Sequence, residues 1–285
     1  MTVQDELIRG TAWEGRVRAV AVRTTRLVEE LRRRHGTWPT ATAALGRTVS
    51  AAAMMGAMLK GEEKLTVQVK GDGPLGQIVA DANARGEVRG YVDHPQVHLP
   101  ANSQGKLDVA GAVGRNGFIY VLKDLGLKEP YRGSSPIVSG ELAEDFTYYF
   151  AVSEQTPSSV SLGVLIDTDG SVMASGGFII QLMPGVEEDE LKQLETALAQ
   201  IPPVSGLLND KVSLDDILRR IVPDVHILDR MPVQFRCQCS QERVQRTLIS
   251  LGKEELNRLI EEDGHAEVVC HFCQEAYQFN NAALH

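Results

Sequence analysis

The stretch Pro39 to Leu59, PTATAALGRTVSAAAMMGAML, holds a single charged side chain, Arg47. Its content of Ala, Leu and Met with almost no charge predicts a helix buried on most of its surface. Working outward toward the N-terminus, Thr25 to Arg34 has helical spacing and ends before Gly36, while Val17, Ala19 and Ala21 alternate as a strand would within Val17 to Arg23. In the other direction come three strand-like runs, Leu65 to Val69, Gln77 to Ala82 and Val88 to Val92. The turn-forming stretches Gly71-Asp72-Gly73-Pro74 and Asn83 to Gly86 separate them, which predicts an antiparallel meander. Asn116-Gly117 and Asp169-Gly170 each lie between apolar runs and read as hairpin turns, with a helix expected over Glu141 to Val152. Residues 1–183 are therefore expected to form an α+β core domain with an antiparallel sheet.

Composition shifts after Pro184. Glu187, Glu188, Asp189 and Glu190 open a segment whose Leu191, Leu194, Leu198 and Ile201 share one helical face, and Pro202-Pro203 stops it. A second amphipathic helix starts at Ser213, with Asp216 three places on, and carries Leu214, Ile217, Leu218 and Ile221 up to Pro223. Helices shorter than about 12–15 residues are marginal alone in water, so both must lean on a neighbour. Residues 184–230 are read as a helical, metastable linker; two ordinary helices of a single core are the other reading. Residues 231–285 are read as a small C-terminal domain.

At 285 residues and 43% hydrophobic content the chain is long enough for one sizeable core and a smaller second unit. A formal net charge of -9 argues against general affinity for nucleic acid or anionic membrane, because such binding rests on clustered Lys and Arg. Met1 to Gly10 shows no apolar signal-peptide run, and no uncharged stretch approaches the ~20 residues that span a bilayer. A cytoplasmic protein is expected. In that compartment thiols are kept reduced, so cysteines are read first as metal ligands or redox groups.

All four cysteines fall near the C-terminus, as Cys237-Gln-Cys239 and Cys270-His-Phe-Cys273. Two close pairs about thirty residues apart suit one tetrahedral Zn²⁺, since each pair can present two thiolates and the chain between can fold back to unite them. A thioredoxin-like C-x-x-C centre and four merely buried cysteines are the alternatives. The first is weakened because strand-like runs, Ala266 to Val269 and Tyr277 to Phe279, flank Cys270 and Cys273 where a helix should open. His265 and His271 could compete as ligands, although four cysteines already fill a tetrahedron. Between the pairs, Ser240 starts a helical pattern through Val244, Leu248 and Leu251 up to Gly252, and a second pattern covers Glu254 to Ile260. A unit this small seldom holds itself together by a hydrophobic core alone, whereas structural zinc supplies about 10–16 kcal/mol in apparent free energy.

C-x-C followed by C-x-x-C near the C-terminus resembles the signature of the redox-regulated bacterial heat-shock holdases, the thirty-three-kilodalton chaperonins. His35-Gly-Thr-Trp-Pro-Thr, Gly73-Pro-Leu-Gly-Gln-Ile-Val-Ala-Asp-Ala-Asn and Gly176-Gly-Phe-Ile-Ile-Gln-Leu-Met-Pro-Gly extend the resemblance over nearly the whole chain. The resemblance implies an ATP-independent chaperone, inactive while Cys237, Cys239, Cys270 and Cys273 hold one zinc. On oxidation it implies zinc release, the disulfides Cys237–Cys239 and Cys270–Cys273, unfolding of the C-terminal region and linker, and binding of unfolding client proteins. It also implies a tendency to form a homodimer. Client-binding residues do not carry over position by position.

Two rival functions are weaker. A nucleic-acid-binding zinc ribbon would need Lys and Arg runs, and Glu254, Glu255, Glu261, Glu262 and Asp263 make residues 231–285 acidic instead. An enzyme site in the α+β domain finds no nucleophile with an evident base. Gly71-Asp-Gly-Pro-Leu-Gly lacks a Gly-Lys-Ser/Thr ending and precedes a strand, and Asp93, His94 and His98 sit beside Pro95 and Pro100 in a stretch that reads as an exposed loop.

Overall fold

The stretch with its single charge forms a helix over Pro39–Ala57, opened by proline in its first turn and buried at every position except Pro39 and Arg47. The computed structural model describes residues 4–250 and 266–279 and divides into two compact units, Met1–Phe235 and Arg236–His285. The first unit runs β1 (Glu6–Ala12), β2 (Val17–Arg23), α1 (Thr25–His35), α2 (Pro39–Ala57), β3 (Lys64–Lys70), β4 (Gln77–Asn83) and β5 (Glu87–Val92). It continues with α3 (Val109–Val113), β6 (Phe118–Asp124), β7 (Tyr131–Pro136), α4 (Leu142–Val152), β8 (Ser158–Ile166) and β9 (Val172–Leu182). Then come α5 (Glu188–Gln200), α6 (Val204–Asn209), α7 (Leu214–Ile221), β10 (His226–Pro232) and β11 (Gln234–Phe235). The second unit contains α8 (Gln241–Ser250), β12 (Ala266–Val269) and β13 (Ala276–Phe279). The architecture is α+β. The helix pattern expected over Glu254 to Ile260 lies outside the described residues.

Two sheets sandwich α2. One has strand order β10-β1-β2-β9-β8, the other β11-β5-β4-β3-β6-β7, and apart from the β11–β5 pair every ladder is antiparallel. The expected meander is β3-β4-β5, with Val67 opposite Ala80 and Ala80 opposite Gly90. Leu7, Val20, Val22 and Ile179 from the first sheet join Val67, Ile78, Ala80 and Val121 from the second in the core around α2. Helix α1 ends where Gly36 takes a left-handed φ of 60°, which turns the chain so that the Thr37 N–H also reaches the Arg32 carbonyl, at 3.2 Å. At the other end of α1, the Asp5 carboxylate accepts the Arg26 and Leu27 N–H groups and so caps the helix from outside it.

Asp169-Gly170 is the turn of the β8–β9 hairpin, with Gly170 at φ 86°. Asn116-Gly117 is not a hairpin turn. The apolar run before it is α3, capped by the Asp108 side chain, and Asn116 instead braces the β3–β4 loop. There Asp72 accepts N–H groups from Arg115 and Asn116 and the Asn116 amide. The hairpin partner of β6 is β7, reached through residues 125–130.

The five-stranded sheet is covered on its second face by the helices of residues 184–230. Ile8, Val17, Ala19, Ala21, Phe178 and Ile180 pack there against Leu194, Leu207, Leu208, Leu214, Ile217, Leu218 and Ile221. Helix α5 opens with a reciprocal capping box between Glu187 and Glu190, and Ser213 caps α7 by accepting the Asp216 N–H. Helix α6 lies close to the sheet because Gly163 and Gly176 stand opposite one another on β8 and β9. A Cβ at Gly163 would meet Ser205 at 2.8 Å, and one at Gly176 would meet Leu208 at 2.7 Å. Arg230 pairs with both Asp215 and Glu6, and Arg16 with Glu190, fastening α7 and α5 at the rim.

Glu29 ties α1 to β9: it pairs with Arg32 and Arg33 and accepts the Val172 N–H at 3.1 Å. The Arg32 guanidinium, followed by the Val172 N–H and Arg33, outweighs burial and holds this carboxyl at about 2. Because the folded value is depressed below the ordinary 4.5, the stabilisation is present above pH 4.5 and is lost as pH falls through 2. Glu29→Gln is expected to destabilise the first unit by about 1–2 kcal/mol at pH 7, with the difference from wild type shrinking below pH 4. Urea unfolding of both proteins at pH 7 and pH 3 measures this; an equal difference at both values contradicts it.

Candidate metal centre

Each cysteine pair is placed by local backbone structure. Cys237 and Cys239 lie in the irregular segment between β11 and α8. Ser240 then starts the helix: its carbonyl accepts the Val244 N–H and its hydroxyl the Arg243 N–H. The Arg243 guanidinium donates back to the Gln238 carbonyl between the two cysteines. Cys270 directly follows β12, and the turn to β13 closes on it: the Cys270 carbonyl accepts the Gln274 N–H at 2.8 Å, and the Cys270 N–H donates to Glu275 at 2.9 Å. Strands β12 and β13 then pair antiparallel with Val268 opposite Tyr277.

These two segments bring the Sγ atoms of Cys237, Cys239, Cys270 and Cys273 within 4.8 Å of one another. Cys237 Sγ lies 3.7 Å from Cys270 Sγ, and Cys239 Sγ lies 3.2 Å from Cys273 Sγ. A tetrahedral zinc site with Zn–S bonds of about 2.3 Å has sulfur–sulfur edges of about 3.8 Å, so the four atoms have the size and donor chemistry such an ion requires. Among the described residues this is the one group of His, Cys, Asp and Glu side chains gathered closely enough to hold a metal. Cys273 is buried and the other three are half-buried. Burial pushes the Cys239 and Cys273 thiols up, so without a cation to draw out thiolates both stay protonated at neutral pH.

His271 is exposed, and His265 lies outside the described residues. Away from the cluster, His98 Nδ1 is hydrogen-bonded to Thr40 Oγ1, and the Asp93 carboxylate accepts the Gln77 N–H. These residues fasten a loop.

Two participants escaped the sequence reading. Tyr277 Oη donates to Cys239 Sγ at 3.1 Å. Gln274 occupies a left-handed φ of 62° in the turn that carries Cys270 and Cys273. A non-glycine residue directly after C-x-x-C gives no signal of this; a glycine there would have.

A side chain in that region strains the backbone by about 1–2 kcal/mol. Gln274→Gly is therefore expected to make the second unit more resistant to heat, with a net gain of about 0.5–1 kcal/mol after unfolded-state entropy is counted. Gln274→Val is expected to weaken it. Thermal melts of the variants in the presence of added zinc test the pair, and a Gly variant less stable than wild type would contradict the strain argument.

Comparison with known proteins agrees with this arrangement. The family model described as Hsp33 protein matches residues 5–280. The chain is 55% identical over 282 residues to a 33 kDa chaperonin of Geobacillus kaustophilus, covering 98% of this chain and 96% of that one. It is 54% identical over 281 residues to the 33 kDa chaperonin of Bacillus subtilis, covering 98% and 97%. The crystal structure of the 33 kDa chaperonin from Thermotoga maritima superposes with a TM-score of 0.93 at 39% identity, covering 99% of this chain and 97% of that one. With the sulfur cluster, the two sheets and the family match in agreement, the chain belongs to the Hsp33 family.

Proposed function

We propose that this protein is a redox-regulated, ATP-independent holdase whose second unit senses oxidant and whose helices α5 to α7 relay the signal. The observation that carries the reading is the gathering of four thiols, from two distant segments, in a unit whose buried side chains among the described residues are only Cys273 and Phe279. Family membership supports the chaperone role. On this reading Cys237, Cys239, Cys270 and Cys273 hold one Zn²⁺. The ion supplies a cross-link between residues about thirty positions apart and stabilises four thiolates. Such a cross-link matters most where the apolar core is smallest.

Oxidation takes the thiolates away from the metal. Cys237 then pairs with Cys239 and Cys270 with Cys273, because neighbours in sequence stay near one another once the long-range tie is gone. The loops so closed are too short to restrict the unfolded chain much, so the second unit loses its fold. Sulfur contacts also run across the pairs, Cys237 to Cys270 at 3.7 Å and Cys239 to Cys273 at 3.2 Å, and make cross-linking the competing outcome.

Residues 184–230 act as the conditional linker. Their helices are short and are held by a packed apolar face and rim ion pairs, and the chain passes from them through β10 and β11 directly to Cys237. When they lift, Ile8, Val17, Ala19, Ala21, Phe178 and Ile180 become a contiguous apolar surface for unfolding clients. Two copies associate in the active state, in the cytoplasm, and no nucleotide takes part. The described residues include no helix long and apolar enough to cross a membrane.

Reduced protein is expected to carry one zinc per chain, to lose it on peroxide treatment, and only then to suppress aggregation of a heat-denatured client. Cys270→Ser should bind zinc far more weakly. Two zinc ions per chain, or peptide mapping dominated by Cys237–Cys270 and Cys239–Cys273 links, would contradict the switch as drawn.

The relay has its own test in the floor of α6. Gly163→Val places side-chain atoms where Ser205 packs, so α6 should lift without any change to the linker or the cysteines. Hydrogen exchange across residues 191–221 is expected to be faster in this variant under reducing conditions, and client binding to need less oxidant or milder heat. Wild-type protection of 191–221 in oxidised, client-holding protein would show that the linker is not the relay.

A further inference from the structure

Helices α5 to α7 belong to a segment that is tied down at both ends. The chain leaves the five-stranded sheet at Leu182, opposite Val17, and rejoins it at His226, opposite Thr11. Val17 in turn faces Ala12, so the two tie points lie at the same end of the sheet, three strand spacings or about 14 Å apart. Between them the helices fill a closed loop of roughly forty residues. After β10 the chain crosses to the edge of the other sheet within one residue. Pro232 ends β10, Val233 is buried in the first core, and Gln234 and Phe235 pair with Glu87 and Val88 of β5.

This crossing is held more firmly than the strand before it. The Val233 N–H donates to the Asp5 carbonyl at 3.2 Å, and the Gln234 N–H to the Gly86 carbonyl at 3.0 Å. Gly86, at a left-handed φ of 76°, lets the chain pass so near that a Cβ there would stand 2.2 Å from the Pro232 carbonyl oxygen. The Phe235 ring packs against the first core, and the Arg34 guanidinium of α1 lies over it, 4.5 Å from its centroid. Strand β10, by contrast, alternates exposed and half-buried side chains, and a bulge between Arg9 and Gly10 interrupts its ladder to β1. Loss of order entering from Cys237 thus meets Phe235 and Val233 first, then β10, and α7 only after that.

We propose that residues 233–235 are a latch, and that its release, not loss of the second unit's fold in itself, frees α5 to α7. The proposal deepens the relay described above and rests on that reading. A segment tied at both ends gains less conformational freedom on unfolding than one with a free end. While the latch holds, closure of the loop keeps the helices favoured on the sheet, even when everything beyond Phe235 has lost its fold. Once it opens, β10 has nothing below it to hold its end, and the helices lose the stabilisation that closure gave them. The latch therefore sets a threshold between sulfur chemistry and exposure of the sheet face.

The test is hydrogen exchange resolved to single amides, on full-length protein, reduced with zinc added and then after peroxide treatment at a series of temperatures. In wild type the Val233 and Gln234 amides are expected to be protected when reduced. After oxidation they should lose protection at or below the temperature at which residues 191–221 lose theirs. Arg34→Gln and Phe235→Leu remove the cation and the ring of one contact. Each is expected to speed exchange at Gln234 about two- to fivefold, and to bring release of 191–221 in oxidised protein to a lower temperature. The double variant should do no more than either single one, because both remove the same contact. Free exchange across 191–221 while Val233 and Gln234 stay protected overturns the latch. So do open amides at both positions in reduced wild type, variants that leave the release of 191–221 unchanged, and additive effects, which mark general loosening of the first unit. Wild-type protection of 191–221 in oxidised, client-holding protein fails at a different point, the relay reading itself.

Discussion

The first unit depends on burying both faces of one five-stranded sheet. Helix α2 covers one face and α5 to α7 cover the other, so adjacent residues on a single strand, Leu7 and Ile8, are each fully buried in different cores. The second cover comes from short helices late in the chain. An antiparallel sheet can keep one face in water only if that face is polar, and Val17, Ala19, Ala21, Phe178 and Ile180 are not. The contrast is with the six-stranded sheet, whose outward Phe118, Tyr120 and Leu122 are partly solvated beside Gln68 and Thr66. The fold thus contains one apolar sheet face that must be covered, and the cover is made of elements that cannot stand alone.

The second unit solves its stability problem differently. Its described residues bury little beyond Cys273 and Phe279, and its two cysteine-bearing segments lie more than thirty positions apart. A hydrophobic core weakens gradually as contacts are lost, whereas a cross-link made by four sulfurs is lost as soon as their chemistry changes. On the proposed reading, placing the redox chemistry where the core is smallest gives oxidation its largest structural effect.

Much of this was legible in the residues. The almost charge-free α2, the β3-β4-β5 meander and the paired cysteines each carry a local pattern that survives in the structure. What escaped did so for physical reasons. Burial on both faces erases the alternation of β1, so Leu7-Ile8 does not read as a strand. Strand β10 is an edge strand of half-exposed residues, including Leu228 at 63% exposure, and resembles linker until its partner β1 is known. Asn116-Gly117 has turn chemistry but braces the Asp72 loop, a role fixed by residues more than forty positions away. Tyr277 is one aromatic residue in a short strand, and only the folded position of Cys239 gives its hydroxyl a task.

On the proposed reading, the two stabilisation strategies together explain why one signal should not suffice. Loss of the sulfur cross-link acts on the second unit, while α5 to α7 keep their apolar contacts with the sheet, with Leu214, Ile217 and Leu218 at 0% exposure. The rim pairs Arg230–Asp215, Arg230–Glu6 and Arg16–Glu190 are partly solvated, so each adds no more than about 1 kcal/mol. Packing therefore sets the linker's stability. Packing of short helices is a balance of large terms in which a few kcal/mol decides the outcome, and conformational entropy shifts that balance toward opening as temperature rises. Oxidant removes a constraint at one end of the linker, and heat reduces what remains. The apolar sheet face is then uncovered most readily when both act, which is also when other proteins are most prone to expose surfaces of the same kind.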